Sequence, residues 1–403
     1  MKAIMYGAGN IGRGFVGALL SQAGYRVSFV DVMEPVVRAL QENERYPVRY
    51  VSTDGHQDVW IENVTAVNGN DAEAVSDAIA ECDIMATAVG ARILTFIAPN
   101  IAAGLRKRWQ NGERPLNIII CENLMDANHV LEGLVKSHLT DEEKEIFDRT
   151  VGLVEASIGR MVPVQTDEMK DGEPLRVCVE RYGFLPVDRD AFKGEIPEIP
   201  NMRPVAPFDF YINRKLYLHN MGHAVCAYLG GYLGMDYIWQ AIDNPEILCI
   251  VQNAMTDSAI ALSKKYGAPL SDLLMHVADL LERFRNRALM DTCQRVGGDP
   301  TRKLSGNDRL IGASRLMIET GMSPAFISIG SAGALYRYLN ESGREQSAEN
   351  AAAALREIAG DAVSDELFAA IMDMYAQFLA GESPAAMRRA AQNLKAKNLG
   401  NIV

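Results

Sequence analysis

Three residues in the stretch "INRKLYLHNMGHAVCAYLG" have side chains suited to acid–base chemistry at an alcohol carbon, namely Lys215, Asn220 and His223. On a helix of 3.6 residues per turn, Lys215 and His223 differ by about 80° in azimuth, and Asn220 lies within about 60° of His223. A desolvated lysine has a lowered pKa and can accept a hydroxyl proton as general base. An asparagine can donate to an alkoxide-like oxygen, and a histidine can orient either group or the substrate. The spacing therefore predicts one helix face that supports hydride transfer.

Two other interpretations fit the same stretch. Taken alone, it is also compatible with a surface lysine, a helix cap and a core histidine. His219 and His223 are four residues apart, as in H-E-x-x-H zinc sites, but Asn220 occupies the position of the required glutamate. Because no third ligand lies nearby in the sequence, we predict no metal site.

A glycine-rich turn close to the first residue predicts a dinucleotide site. "YGAGNIGRGF" has the G-x-G-x-x-G pattern, follows a short apolar strand and opens an amphipathic helix. Asp31 ends a second strand 19 residues after Gly12, where a carboxylate would bond a ribose 2′-hydroxyl and repel a 2′-phosphate. NAD is therefore the expected cofactor, rather than NADP, although a glycine turn that binds no dinucleotide remains an alternative. The predicted cofactor-binding residues are Gly7, Gly9, Asn10, Ile11, Gly12, Asp31 and Val89.

The elements around these residues indicate an α/β protein with two domains. Apolar strands without alternation, as in 83–89 and 116–123, are separated by helical patterns and predict a doubly wound parallel sheet of the Rossmann type. The alternating segment 46–66 contains Asp-Gly and predicts an antiparallel insert. The later part of the chain is almost entirely helical in pattern. We expect a dinucleotide-binding domain with a β-rich extension over 1–203 and a helical substrate and catalytic domain over 204–403.

Five motifs, in order along the chain, resemble the polyol-specific long-chain dehydrogenases. They are "GAGNIGRGF", "TAVG", "PLNIIICENL", "RKLYLHNMGHAVCAYLG" and "RKLSGNDRLIG". The resemblance implies metal-independent catalysis with Lys215 as general acid/base. It also implies that Asn220 and Asn123 bond the reacting oxygen and that His223 helps to hold the substrate. Asn123 independently follows a predicted parallel strand, at the end where doubly wound sheets bind ligands.

The sequence defines the substrate less narrowly than it defines the catalytic residues. The compact chain of 403 residues and the motif "RKLSGNDRL" resemble the phosphate-using branch of that family, which implies interconversion of D-mannitol 1-phosphate and D-fructose 6-phosphate. Candidate phosphate ligands are Arg302, Lys303 and Arg309, with Arg160 a weaker one. The alternatives are an unphosphorylated polyol or a hexuronate, as in mannitol 2-dehydrogenases and fructuronate or tagaturonate reductases. The segment 165–190 is assigned no role, and if it lines the pocket the substrate could differ.

A non-enzymatic alternative is an inactive, NAD-binding regulatory protein. The set of Lys215, Asn220 and His223 argues against it, because such a protein would not need all three groups.

Composition limits the partners and the compartment. A formal net charge of -12 argues against a nucleic-acid or anionic-membrane surface, because both need a basic face. No apolar stretch reaches the roughly 18 residues that span a bilayer, and no leader pattern precedes the glycine turn. The six cysteines are scattered, so we expect free thiols. Together these features predict a cytoplasmic enzyme, monomeric or a small homo-oligomer, whose partners are small polyols or sugar phosphates.

Overall fold

The chain folds into two compact units. The structure, a computed structural model, describes residues 1–398. The first unit comprises Met1–Asp209 and the second begins at Phe210, six residues after the expected start at 204.

A six-stranded parallel sheet forms the centre of the first unit, in the order β5-β2-β1-β6-β7-β8. This order confirms the predicted doubly wound Rossmann-type fold. A second sheet has the order β4-β3-β9, and β10 pairs with β11. The strands are β1 (Lys2–Tyr6), β2 (Arg26–Asp31), β3 (Arg45–Ser52), β4 (Gly55–Glu62), β5 (Val64–Asn68), β6 (Ile84–Thr87), β7 (Leu116–Ile120), β8 (Val151–Glu155), β9 (Val177–Val179), β10 (Leu185–Asp188) and β11 (Met202–Val205).

The strands of the parallel sheet are apolar throughout because both faces of the sheet are covered. Along β1, Ala3 and Met5 belong to one hydrophobic cluster, whereas Ile4 and Tyr6 belong to the other. Successive strand residues point to opposite faces, so each face needs its own apolar side chains. The helices of this unit are α1 (Gly17–Gln22), α2 (Glu34–Asn43), α3 (Ala72–Glu81), α4 (Leu94–Gln110), α5 (Ala127–Lys136), α6 (Asp141–Thr150) and α7 (Asp167–Lys170).

The antiparallel insert is present, but its boundaries differ from the prediction. β3 and β4 form a hairpin that turns before Gly55, whereas residues 64–68 form β5 and pair in parallel with β2. β9, from the unassigned segment 165–190, adds in parallel to β3. Its buried residues Val177 and Val179 pack under Gly14 in the first helical turn. Part of the unassigned segment therefore belongs to the core of the first unit.

The second unit is helical, as predicted from residue 208 onward. Helix α9 is buried on almost every side, where it packs against α10, α11 and α16. Within residues 1–398, no helix has the length and apolarity needed to cross a bilayer. The helices are α8 (Asp209–Arg214), α9 (Met221–Tyr232), α10 (Ile238–Asp243), α11 (Pro245–Tyr266), α12 (Leu270–Phe284), α13 (Cys293–Val296), α14 (Pro300–Lys303), α15 (Ile311–Glu319), α16 (Ala325–Ser342), α17 (Ala348–Ala359), α18 (Asp365–Leu379) and α19 (Pro384–Asn398).

Candidate active site

The glycine turn after β1 has the shape of a phosphate cradle. Gly7 has a φ of +102°, and a Cβ on it would lie 2.5 Å from the Ala88 carbonyl oxygen. A Cβ on Gly12 would lie 1.9 Å from the Gly7 carbonyl oxygen, whereas a Cβ on Gly9 would meet no atom within 4 Å. The first and third glycines thus permit the tight turn, and the second leaves the backbone open to a ligand. The helical segment begins at Asn10 and is π-helical over Gly12–Val16.

Asp31 at the end of β2 is held beside this turn. Its Oδ2 accepts from the Ala8 N–H at 2.7 Å, and its Oδ1 accepts from the Met33 N–H at 2.9 Å. Each carboxylate oxygen retains a further lone pair for another donor. The carboxylate is therefore fixed at the glycine turn and is still able to accept bonds from a ribose.

Val89 and Asn123 lie near a buried acid that the sequence analysis did not single out. Glu122 is 7% exposed, and its carboxylate accepts from the Val89 N–H at 3.0 Å and from the Thr87 hydroxyl at 2.7 Å. Asn123 follows directly and is exposed. In the sequence, the one sign that Glu122 is buried was its position directly after a run of apolar strand residues.

In the second unit, the predicted catalytic residues lie on a helix of unexpected geometry. Residues Lys215–Asn220 form a π-helix that leads into α9, with the Met221 N–H donating to the Leu216 carbonyl. In the expected α-helix, Lys215 and Asn220 would differ by about 140° in azimuth. Because π-helical hydrogen bonds join residues five apart, the two residues instead lie nearly one turn apart on the same side. The π-helix thus brings together two groups that a regular helix would separate.

Lys215 has the environment of a base. Its side chain is half-buried, and desolvation together with the nearby Arg309 guanidinium lowers its pKa to about 8. Both effects disfavour the charged ammonium, so the neutral amine is accessible near neutral pH.

His223 is held on two sides. Its Nε2 lies 3.1 Å from Asp291 Oδ2, and its ring stacks on Phe284 with centroids 4.8 Å apart. Arg295 Nε donates to the other Asp291 oxygen at 2.9 Å. Burial alone would raise the pKa of Asp291, but His223 and Arg295 outweigh burial, so the pKa is lowered. Asp291 therefore stays charged and orients the imidazole.

Among the described residues, the alternative zinc pair of His219 and His223 has no third ligand. His219 is buried, and its pKa lies well below the usual value, because of desolvation first and of Arg283 and other nearby cationic groups second. Its ring centroid is 6.0 Å from that of His223. In the part of the chain that the structure describes, no three His, Cys, Asp or Glu side chains converge as a metal site.

The three cationic side chains of the motif "RKLSGNDRL" differ in burial: one is exposed and two are buried. Arg302 is tied to Asp299 at 2.9 Å and to Asp308 at 3.5 Å, with 45% of its side chain exposed. Lys303 and Arg309 are 4% and 9% exposed. Desolvation, Arg309 and Arg302 lower the pKa of Lys303 to about 8, and Arg309 is also close enough to influence Lys215. Arg309 therefore acts electrostatically on both Lys303 and Lys215, and it is itself paired with Asp308 at 2.7 Å.

Arg160, the weaker candidate, lies in the first unit with its guanidinium engaged. It donates to the Gly14 carbonyl at 2.9 Å and to the Tyr182 carbonyl, and its guanidinium carbon lies 4.3 Å from the Phe15 ring centroid. These contacts account for its burial by local packing, and Arg160 remains the weaker phosphate candidate.

The chain belongs to the mannitol dehydrogenase family. Residues 1–201 match the mannitol dehydrogenase Rossmann domain, and residues 208–395 match the mannitol dehydrogenase C-terminal domain. Mannitol-1-phosphate 5-dehydrogenase of Brevibacillus brevis is 39% identical over 83% of this chain and 86% of its own length. The enzyme of the same name from Bacillus pumilus is 35% identical over 92% and 99%, respectively.

Two solved structures share the fold across both units. Pseudomonas fluorescens mannitol 2-dehydrogenase, solved with NAD and D-mannitol, superposes with a TM-score of 0.75 at 15% identity and covers 98% of this chain and 94% of its own. A substrate-free D-sorbitol dehydrogenase superposes with a TM-score of 0.74 at 17% identity, covering 99% of this chain and 92% of its own. At these identities the likeness establishes the fold alone.

Proposed function

We propose that this protein is an NAD-dependent dehydrogenase that interconverts D-mannitol 1-phosphate and D-fructose 6-phosphate. The observation that carries the proposal is the lowered pKa of Lys215, about 8, which is due to desolvation and to the buried Arg309, a residue that also acts on the buried Lys303. A base next to concentrated positive charge suits a substrate that is both an alcohol and a dianion. The names of the relatives at 35–39% identity agree with this substrate.

The first unit has the features needed to hold NAD. The open backbone at Gly9 fits a pyrophosphate, and the fixed carboxylate of Asp31 fits a ribose diol. We assign the remaining contacts to Gly7, Asn10, Ile11, Gly12 and Val89. The bound cofactor would supply the hydride acceptor or donor.

The second unit supplies the acid–base groups. During oxidation, the Lys215 amine takes the proton of the alcohol whose carbon loses hydride, and during reduction the ammonium returns it. We assign the side-chain amides of Asn220 and Asn123 to hydrogen bonds with the reacting oxygen, where they stabilise the negative charge that develops. His223, oriented by Asp291 and Phe284, is assigned to a hydrogen bond that holds a substrate hydroxyl.

The proposal is tested by following NADH oxidation with fructose 6-phosphate, fructose and keto-uronates, in the presence and absence of a strong chelator. We expect fructose 6-phosphate to have by far the highest kcat/KM, without loss of rate on chelation. Equal or better use of fructose or a keto-uronate would favour the alternative substrates. Loss of activity that zinc restores would favour the His219/His223 metal site, and inactivity on every substrate despite NADH binding would favour a regulatory protein.

The pH dependence should follow Lys215. For oxidation of mannitol 1-phosphate, kcat/KM needs the neutral amine, so it is expected to fall roughly tenfold per pH unit below about 8. For reduction of fructose 6-phosphate the ammonium is needed, so kcat/KM should fall above about 8 instead. Initial rates in both directions between pH 6.5 and 9.5 measure the two profiles. Profiles that fail to mirror each other would assign the proton transfer to another group.

Asp31 should determine the choice of cofactor. Asp31→Ser is expected to weaken NADH use and to narrow the preference for NADH over NADPH, because it removes both the ribose acceptor and the charge that repels a 2′-phosphate. The ratio of kcat/KM for the two cofactors measures the effect. Glu34→Ser, which removes an exposed carboxylate three residues away, is the matched control. An enzyme that already used both cofactors equally would show that Asp31 does not face the ribose.

We further propose a cytoplasmic location and small-molecule partners, with the enzyme acting as a monomer or small homo-oligomer. All six cysteines are free thiols, and five of them are buried, as expected of a protein in a reducing compartment.

A further inference from the structure

Glu122 is a buried carboxylate with two hydrogen bonds and no role in the chemistry described above. We propose that its negative charge stabilises bound NAD⁺ relative to bound NADH, and so lowers the reduction potential of the cofactor on the enzyme. The proposal rests on the proposed NAD-dependent function, because it concerns the same cofactor site.

The position of Glu122 in the sheet supports this role. In the order β5-β2-β1-β6-β7-β8, Asp31 ends β2 on one side of β1. On the other side, Thr87 ends β6 and Glu122 lies two residues beyond the end of β7. Dinucleotides lie across the carboxyl ends of such sheets, with one half on each side of the point where the strand order reverses. With the adenine ribose at Asp31, Glu122 falls in the nicotinamide half.

The charge of Glu122 is not compensated locally. Both of its hydrogen-bond partners, the Val89 N–H and the Thr87 hydroxyl, are neutral donors. Among residues 1–398, no Lys, Arg or His nitrogen forms an ion pair with it. An unpaired buried carboxylate projects its potential further than a paired or solvated one, because little solvent screens it.

Packing and hydrogen bonding do not require the charge. A glutamine of the same shape could accept from the Val89 N–H through its carbonyl oxygen, and its amide could donate to the Thr87 hydroxyl, which both donates and accepts. Burying a neutral amide costs less free energy than burying an unpaired charge. The nicotinamide ring is cationic in NAD⁺ and neutral in NADH. Attraction to the cationic ring accounts for a charged carboxylate at this position, where a neutral amide would be less costly to bury.

The test compares the dissociation constants of the two cofactor forms. In Glu122→Gln, we expect Kd for NAD⁺ to rise about tenfold and Kd for NADH to change less than about twofold, because only the cationic form loses the attraction of a unit charge. Such a change in the ratio raises the potential of the bound couple by about 30 mV. Isothermal calorimetry for NAD⁺ and fluorescence titration for NADH measure the two constants without turnover.

Three further variants separate charge from structure. Glu122→Ala is the second neutral variant and should raise the ratio of Kd for NAD⁺ to Kd for NADH as Glu122→Gln does. Glu122→Asp keeps the charge, and Thr87→Val removes one hydrogen bond but leaves the charge, so both should keep the ratio near that of the parent. Circular dichroism confirms that each variant is folded.

Two results would overturn the proposal. Equal weakening of both cofactor forms in the neutral variants would assign Glu122 to the architecture of the site, and unchanged constants would assign it no part in cofactor binding. A parent protein that binds neither form would refute the proposed function itself, which the other two results would leave standing.

Discussion

Lys215→Ala is expected to lower turnover by about 10²- to 10⁴-fold and to leave the affinity for NADH unchanged. The structure places this lysine half-buried on a π-helix, one turn from Asn220, with its pKa lowered to about 8 by desolvation and Arg309. Without the amine, the group assigned to receive the alcohol proton is missing, so the loss appears in kcat. Cofactor affinity is retained because the glycine turn and Asp31 belong to the first unit.

Steady-state kinetics in both directions and NADH fluorescence titration measure these two quantities. Lys265→Ala is the matched control, because Lys265 is an exposed lysine of the same unit. Near-normal turnover in Lys215→Ala would remove this residue from the mechanism. Loss of NADH affinity in parallel with turnover would indicate structural damage instead.

Arg309→Ala and Lys303→Ala are each expected to raise KM for fructose 6-phosphate by about 10- to 150-fold. A charged hydrogen bond contributes about 1.5–3 kcal/mol, which corresponds to that range of affinity. With a net charge of -12, the protein as a whole repels a dianion, so a few close donors must hold the phosphate. Arg309 and Lys303 are buried, and Arg309 also acts on Lys215. Asp308 lies 2.7 Å from Arg309 Nε, and Asp299 and Asp308 are the acidic groups near Lys303.

Arg302→Ala is the control within the same motif, because Arg302 is partly exposed and already paired with Asp299 and Asp308. KM for fructose 6-phosphate and for fructose should be measured for all three variants. We expect both variants to raise KM only for the phosphorylated substrate, whereas Arg309→Ala should also raise the pKa of Lys215 and so shift the pH profile with both substrates. If neither variant changes KM, or if both substrates are affected alike, the phosphate is bound elsewhere.

Local patterns in the sequence were sufficient for the parallel sheet, the hairpin and the glycine turn. The strands are continuous apolar runs because each face of the sheet needs its own apolar side chains, and that requirement is visible in neighbouring residues. The turn is likewise encoded by three glycines within six residues, where Gly7 and Gly12 leave no room for a Cβ. The family resemblance rested on motifs of the same local kind.

The π-helix at Lys215–Asn220 was not predictable from the residue spacing, because both helix types accept these residues. Tertiary packing decides which hydrogen-bond pattern forms, and here it changes the angle between Lys215 and Asn220. The edge strand β5 was assigned to the wrong sheet for a similar reason, since a short apolar strand does not specify its partner.

The partners of the charged residues also depended on the fold. Asp291 contacts His223, which is 68 residues away in the sequence, and Glu122 contacts Thr87, which is 35 residues away. The sequence presented Arg302, Lys303, Arg309 and Arg160 as similar candidates, and only burial and neighbours separated them. Residue type and spacing thus determined which chemistry is available, whereas tertiary contacts decided which groups are desolvated, paired or oriented, because the free energy of a charge depends on its three-dimensional surroundings.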